Sequence, residues 1–389
     1  MMKRINVFVP KFRKKEILKN IEECLDKGWT GMGFKTVEIE NQWKEYTEFP
    51  NAHFLNSNTV GLHLAVKILK HANKWRNNDE IITTPLTFIS TNHAIKYENL
   101  TPVFADVDES LCLDPIDVES KITRRTKAIM FVGIGGNIGQ YHKIKDICQK
   151  YNLKLILDAA HMAGTKIPKP FQGFGTSYHQ IGWDADVSIF SFQAVKNLPT
   201  ADSGMICFKN DDYDQLARKM SWLGIDKDTF SRTNQKGTYK WDYDVPTLGY
   251  KYHGNSIMAS MALTGLKYLD SDNKRRREIA EIYDKELKKV KGVTIVKHNI
   301  ECISSRHLYQ IRVKNRDKIM ELLNSLYISP GVHYKDNTEY DLYKESYGTC
   351  PYSHKVSKEL ITLPIHLNLT NNDCIKVTNT LKKVLKTWE

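Results

Sequence analysis

The chain has 389 residues, 41% of them hydrophobic and 26% charged, with a formal net charge of +12. That length implies two or three domains with a large core, and the balance is that of a soluble globular protein, which excludes disordered and fibrous classes. No apolar run reaches the roughly eighteen residues of a membrane span, and residues 1–10 hold too short an apolar stretch for a signal peptide. The seven cysteines are scattered and include no Cys-x-x-Cys pair, so neither a disulfide framework nor a structural zinc site is expected. A cytoplasmic protein without a membrane anchor is the expectation. The positive charge fits a phosphate-bearing substrate at least as well as nucleic acid, because no basic stripe interleaved with aromatic residues is present.

Residues 1–30 read as an arm or helix packed on the smaller of two domains. A large α/β domain is expected over residues 31–245. Within it, short β-branched runs alternate with helical patterns. The strands are expected at Glu80–Thr83, Pro102–Ala105, Lys127–Val132, Leu153–Leu157, Val187–Phe190 and Met205–Phe208. Helices are expected at Thr59–Ala72, where Leu62, Ala65, Val66 and Leu69 share a face, and at Lys143–Tyr151. Such alternation predicts a mostly parallel mixed sheet covered by helices, with ligands gathering at the carboxyl ends of its strands. Residues 246–389 predict a smaller α+β domain. Its helices are expected at Asn255–Leu269, Arg275–Val290, Arg316–Leu326 and Asn372–Lys386, and its strands at Leu308–Val313 and Val332–His333. The basic run Lys274-Arg275-Arg276-Arg277 reads as the solvated face of a starting helix.

Two strands end in residues that carry chemistry. Val187-Ser188-Ile189-Phe190 runs into Ser191-Phe192-Gln193-Ala194-Val195-Lys196. A lysine at the end of a buried strand loses hydration, which lowers its pKa and makes its amine a nucleophile fit for Schiff-base chemistry. A surface-turn lysine is the alternative. Leu155-Ile156-Leu157 ends in Asp158, whose carboxylate can pair with a protonated pyridine nitrogen or simply cap a helix. Asn56-Ser57-Asn58-Thr59 opens a helix, where small polar residues both cap it and cradle a phosphate. Phe88, after Thr84-Pro85-Leu86-Thr87, can lay its ring on a flat cofactor or serve the core. The glycines of Gly133-Ile134-Gly135-Gly136-Asn137-Ile138-Gly139 do not fit a dinucleotide loop, since Ile138 stands where the third glycine should fall, and read instead as a flexible turn.

Taken together, these stretches resemble the DegT/StrS family of nucleotide-sugar aminotransferases, which are fold-type I enzymes dependent on pyridoxal 5′-phosphate (PLP). The matches run collinearly from about residue 25 to 385. They are Ser57-Asn58-Thr59 with Leu62-His63-Leu64-Ala65, Asp79-Glu80-Ile81-Ile82-Thr83-Thr84-Pro85, Pro102-Val103-Phe104-Ala105-Asp106-Val107-Asp108 and Thr126-Lys127-Ala128-Ile129. There follow Asp158-Ala159-Ala160-His161, Phe190 to Leu198 around Lys196, Leu248-Gly249-Tyr250-Lys251-Tyr252, His307 to Val313, Val332-His333-Tyr334 and Leu363-Pro364-Ile365.

The resemblance implies a role for each matched position. Lys196 would form the Schiff base and shuttle the proton. Asp158 would pair with the pyridine nitrogen, with His161 beside the ring's hydroxyl edge and Phe88 stacked on the ring. Asn58, Thr59 and Ser191 would hold the phosphate, with Gln193 nearby. Family members are homodimers with shared active sites, and Tyr250-Lys251-Tyr252 resembles the donated loop, with Lys251 near the neighbour's phosphate. His333 and Tyr334 would line the sugar pocket. The chain departs from the family in Ala201-Asp202-Ser203-Gly204, where Gly-Glu-Gly-Gly is usual, in Pro199, and in Tyr252-His253-Gly254-Asn255. A related subgroup carries histidine in place of the lysine and dehydrates sugars; Lys196 favours transamination. The expected reaction moves an amino group from glutamate to the keto group of a nucleotide-linked deoxysugar for surface-polysaccharide or glycoconjugate synthesis. The alternatives are the same chemistry on a small phosphorylated ketone such as dihydroxyacetone phosphate, and a non-catalytic binding or regulatory protein on this fold.

Overall fold

The computed structural model describes residues 4–169, 177–226 and 243–387. The outer ends of the expected arm and of the C-terminal domain, and two stretches of the expected large domain, lie outside them. The chain begins with β1 (Ile5–Asn6), α1 (Lys14–Asp26), α2 (Phe34–Thr47) and β2 (His53–Leu55). Next come α3 (Asn58–Ala72), β3 (Glu80–Thr83), α4 (Ile89–Tyr97), β4 (Thr101–Phe104), α5 (Pro115–Ser120), β5 (Thr126–Val132), α6 (Tyr141–Tyr151) and β6 (Lys154–Asp158). A small hairpin of β7 (Lys166–Pro168) and β8 (Tyr178–Gln180) precedes β9 (Val187–Ser191), β10 (Gly204–Phe208) and α7 (Asp211–Ser221). The C-terminal part holds α8 (Ser256–Leu266), α9 (Leu269–Leu287), β11 (Val293–Ile295), β12 (Tyr309–Val313) and α10 (Arg316–Ser325). It closes with β13 (Ile328–Ser329), α11 (Pro351–Ser357), β14 (Leu360–Leu363) and α12 (Asn371–Lys386).

Seven strands form the central sheet in the order β2-β10-β9-β6-β5-β3-β4, and only β10 runs antiparallel to its neighbours. Side chains alternate across it, as a strand's period of two demands. Ala128 and Met130 of β5 and Ile156 of β6 enter one core beneath α3, α4 and α7; Ile129 and Phe131 with Leu155 and Leu157 enter the other, beneath α2, α6 and α8. Both faces are therefore covered, which is why these strands read as near-continuous apolar runs. Gly61 lets α3 lie close on the sheet, since a Cβ there would stand 2.6 Å from Cγ2 of Ile189.

A third core gathers around the antiparallel sheet β11-β12-β14, where Tyr283, Tyr309, Ile311 and Leu381 are buried among α9, α10 and α12. The N-terminal segment divides between the smaller sheet and the large domain. β1 pairs with β13 beside the smaller sheet, whereas α1 lies on α8, with Asn20 Nδ2 donating to Thr264 Oγ1 at 3.0 Å. α8 buries Ala259, Ala262 and Leu263 in the core of the large sheet. Two expectations need correction. Val332–His333 is not a strand: Gly331 exchanges both backbone bonds with Thr362, and the chain then leaves the sheet, with His333 O accepting from the Gln310 side chain instead. The basic run in α9 is not a solvated face either. Arg276 is buried and donates to Ile365 O, while Arg275 and Arg277 donate to Leu369 O and Ser304 O. These guanidinium groups satisfy carbonyls that the loops leave unpaired. Among the described residues no helix is long and apolar enough to cross a membrane.

Candidate active site

The carboxyl ends of β3, β5, β6 and β9 open into a cavity of about 450 Å³, which suits a small organic ligand. Of the eleven site residues expected from the sequence, ten line it: Asn58, Thr59, Phe88, Asp158, His161, Ser191, Gln193, Lys196, His333 and Tyr334. The eleventh, Lys251, does not. Its exposed ammonium stands 3.4 Å from the ring centroid of Trp222, outside this cavity.

Asp158 is the last residue of β6 and is buried. It accepts a hydrogen bond from Thr91 Oγ1 at 2.8 Å and one from the backbone N–H of Ala160 at 3.2 Å. No helix starts there, so the capping alternative falls away. Burial pushes its pKa up, while the Thr91 and Ala160 bonds and the positive charge of Lys196 pull the other way. Lys196 sits in a turn after β9. Its own N–H donates to Gln193 O at 2.8 Å, and Val195 N–H donates to Gln193 Oε1 at 3.0 Å. The adjacent Asn197 anchors that turn by donating to Asn273 Oδ1 and Ser305 O. Loss of hydration lowers the Lys196 pKa to about 8, against the opposing pull of Asp158.

Ser57 caps α3 by accepting from Val60 N–H at 3.4 Å. Asn58 and Thr59 follow in the first turn, whose N–H groups have no partner within the helix. Ser191 faces them from the end of β9. Gly204 makes this approach possible, because a Cβ there would lie 2.9 Å from Asn58 N and from Phe190 O. Phe88 is 58% exposed and stands 6.0 Å from the Tyr334 ring. Its loop is held by Asn337, whose Nδ2 donates to Pro85 O at 2.6 Å and Thr87 O at 2.7 Å.

The glycine turn after β5 is packed rather than flexible, which corrects the sequence expectation. Gly133, Gly135 and Gly136 lie against Met162, Leu308 and Ser305, and a Cβ at Gly136 would meet Ser305 Oγ at 2.2 Å. Its Gly135 N–H donates to His161 Nδ1 at 3.1 Å, and Tyr334 Oη lies 3.1 Å from His161 Nε2. His161 packs on His307 with ring centroids 4.4 Å apart. Burial and the charge of Lys196 lower the His333 pKa to about 4, and its Nδ1 meets Thr362 Oγ1 at 2.9 Å.

Several contributors escaped the sequence reading. Thr91, Asn337 and His307 act on the site through hydrogen bonds or ring contacts made across the fold; nothing in the local sequence of Thr91 or Asn337 marks them, and His307 opens a family match that assigns it no role. Asp202 lines the cavity and was visible only as a departure from the family pattern; burial raises its pKa.

The donor set fits PLP. A buried carboxylate faces a lysine whose amine is easily deprotonated, and a helix N-terminus with Thr59 and Ser191 offers a dianion several donors. The buried Asn58 Oδ1 in the lining has no partner among the described residues; as an acceptor it calls for a donor rather than for the dianion, which the free N–H groups of the helix start would meet.

Comparison with known proteins gives one consistent picture. Residues 11–382 match the model of the DegT/DnrJ/EryC1/StrS aminotransferase family. The uncharacterized protein MJ1066 of Methanocaldococcus jannaschii is 33% identical, covering 97% of this chain and 98% of its own. The spore coat polysaccharide biosynthesis protein SpsC of Bacillus subtilis is 29% identical over 99% of both chains. Among solved structures, the putative sugar aminotransferase Spr1654 of Streptococcus pneumoniae in its PMP form superposes with a TM-score of 0.88 at 27% identity, covering 98% of this chain and 99% of its own.

Proposed function

This chain belongs to the DegT/DnrJ/EryC1/StrS aminotransferase family and is a PLP-dependent sugar aminotransferase of fold type I, and from that premise we propose that it aminates the keto group of a nucleotide-linked deoxysugar, with glutamate as donor. The observation that carries this reading is the meeting of Lys196 and Asp158 in one cavity at the strand ends, with phosphate-binding groups beside them. Bound there, PLP supplies an electron sink for breaking bonds at the amine-bearing carbon.

The chain's own residues divide the remaining work. Asp158 holds the proton on the ring nitrogen. Lys196, near pKa 8, carries the cofactor and then moves a proton to and from the substrate carbon. Asn58, Thr59 and Ser191 would hold the phosphate, with Gln193 shaping the turn beside them, and Phe88 would pack against the ring. His161 would lie beside the ring's hydroxyl edge, and His333 and Tyr334 form the wall where the sugar would lie. In this reading the enzyme is a cytoplasmic homodimer, and Lys251 serves the partner's phosphate site. The similarity to SpsC supports a place in polysaccharide synthesis, and the net charge of +12 suits a diphosphate-bearing substrate.

A half-reaction screen tests the proposal. The holoenzyme is converted with glutamate to its amine form and then offered a nucleoside-diphosphate-linked keto-deoxysugar or dihydroxyacetone phosphate. Return of the visible cofactor band with the sugar alone supports the proposal. Return with dihydroxyacetone phosphate alone replaces its substrate, failure to convert with glutamate replaces its donor, and a protein without any visible band contradicts it.

A further inference from the structure

One proton in the cavity wall is fixed by three groups. Gly135 lies in the turn after β5 with φ of 63°, which aims its N–H inward to donate to His161 Nδ1 at 3.1 Å. That nitrogen therefore bears no proton. Burial, together with the charge of Lys196, holds the His161 pKa well below its ordinary value, so the ring is neutral and its one hydrogen is on Nε2. Tyr334 Oη is 3.1 Å from Nε2. Two hydrogens cannot share that contact, so Nε2–H donates and the phenol oxygen accepts. Burial also raises the Tyr334 pKa, so the phenol keeps its hydrogen. Among the described residues no group is placed to accept it, and Tyr334 lines the same cavity as Lys196 and Asp158.

We propose that Tyr334 is an obligate hydrogen-bond donor to the carbonyl oxygen of the sugar to be aminated, with His161 and Gly135 as the positioning residues that dictate its direction. The inference rests on the sugar-aminotransferase reading and deepens it, because it names the atom that the wall reads. A carbonyl oxygen accepts such a bond. The ammonium group of the aminated product has no lone pair and does not. The wall thus favours the keto substrate over its product, which assists release once the carbonyl oxygen has left as water. Losing one neutral hydrogen bond costs about tenfold in affinity.

Two measurements on the holoenzyme test this. In the first, histidines are labelled with nitrogen-15 and the His161 signals are assigned by their loss in His161→Asn. The expected result is unprotonated Nδ1 and protonated Nε2, both in the parent and in Tyr334→Phe, since Gly135 sets the tautomer. A protonated Nδ1 in either protein overturns the inference. In the second, Tyr334→Phe should leave the visible band unchanged. The half-reaction of its amine form with a thymidine-diphosphate-linked 4-keto-6-deoxyhexose should slow by about tenfold, while inhibition by the corresponding amino sugar stays as in the parent. A band displaced before any keto compound is added would place the acceptor on the cofactor and overturn the assignment. So would equal weakening of both ligands, or an unchanged half-reaction. If the parent itself ignores the keto sugar, the substrate reading fails instead, and the histidine spectrum with the band position decides the orientation of Tyr334.

Discussion

Asp158→Asn changes one charge and little volume, and the structure assigns it two opposite consequences. In the cofactor-free protein, lost hydration lowers the Lys196 pKa to about 8 while the Asp158 carboxylate pulls it up. Neutralising Asp158 removes only the opposing influence, so the amine must titrate still lower. At pH 7 a group with pKa of about 8 is roughly one-tenth free amine, whereas an ordinary lysine is below about one-thousandth. The variant's Lys196 should therefore be more reactive than the parent's. Turnover should move the other way. An amide keeps its oxygen as acceptor for Ala160 N–H and turns its NH2 toward Thr91 Oγ1, whose oxygen can accept in return, but it cannot hold a positive charge on the ring nitrogen. A loss of about a hundredfold is expected, equivalent to roughly 3 kcal/mol of barrier. The assay is acylation of the cofactor-free protein across a pH series, read at the Lys196 peptide by mass spectrometry, alongside steady-state rates of the holoenzyme. A Lys196 midpoint unchanged or raised, together with near-parental turnover, would refute the coupling and leave Asp158 a structural residue.

Other substitutions probe separate parts of the account. Phe88→Ala should weaken PLP binding by about three- to tenfold, the worth of one ring contact, with the fold intact by circular dichroism; unchanged affinity would remove Phe88 from the cofactor's face. Gly61→Val would drive side-chain atoms into Ile189, where even a Cβ stands only 2.6 Å away. It should lower the urea midpoint by about 1–3 kcal/mol equivalent, and a parental midpoint would show that α3 is not seated as described. Lys196→Ala and Lys251→Glu should each be inactive alone. Mixed in equal amounts and allowed to exchange subunits, they should regain activity in about one site in four, because half the dimers then hold one intact site. No recovery despite exchange confirmed by native mass spectrometry would exclude Lys251 from the partner's site.

What the sequence revealed follows from how each residue is held. β6 and β9 announced themselves because both faces of the sheet are covered, so their apolar runs stop abruptly where the cavity opens at Asp158 and Ser191. The polar start of α3 was legible because helix capping has a local signature in Ser57. Contacts made across the fold have none. Thr91 reaches Asp158 at the end of β6 from α4, and Asn337 reaches the Phe88 loop from 250 positions away along the chain. Val332–His333 misled because β-branched composition says nothing about where a backbone finds partners, and here pairing stops at Gly331. Arg276 misled because a basic run on a helix is usually solvated, and only the tertiary fold brings Ile365 O to it.

The central claim is that Lys196 is the residue that carries the cofactor, and the most direct measurement of it is chemical. The holoenzyme is reduced with borohydride, digested and mapped by mass spectrometry, with Lys196→Ala treated in parallel. The account predicts a single stable pyridoxyl adduct, on Lys196, and none in the variant, although the remaining groups that would hold the phosphate should still bind PLP reversibly. An adduct on any other lysine of the parent, or a parent that binds PLP without forming a reducible bond at all, would contradict it.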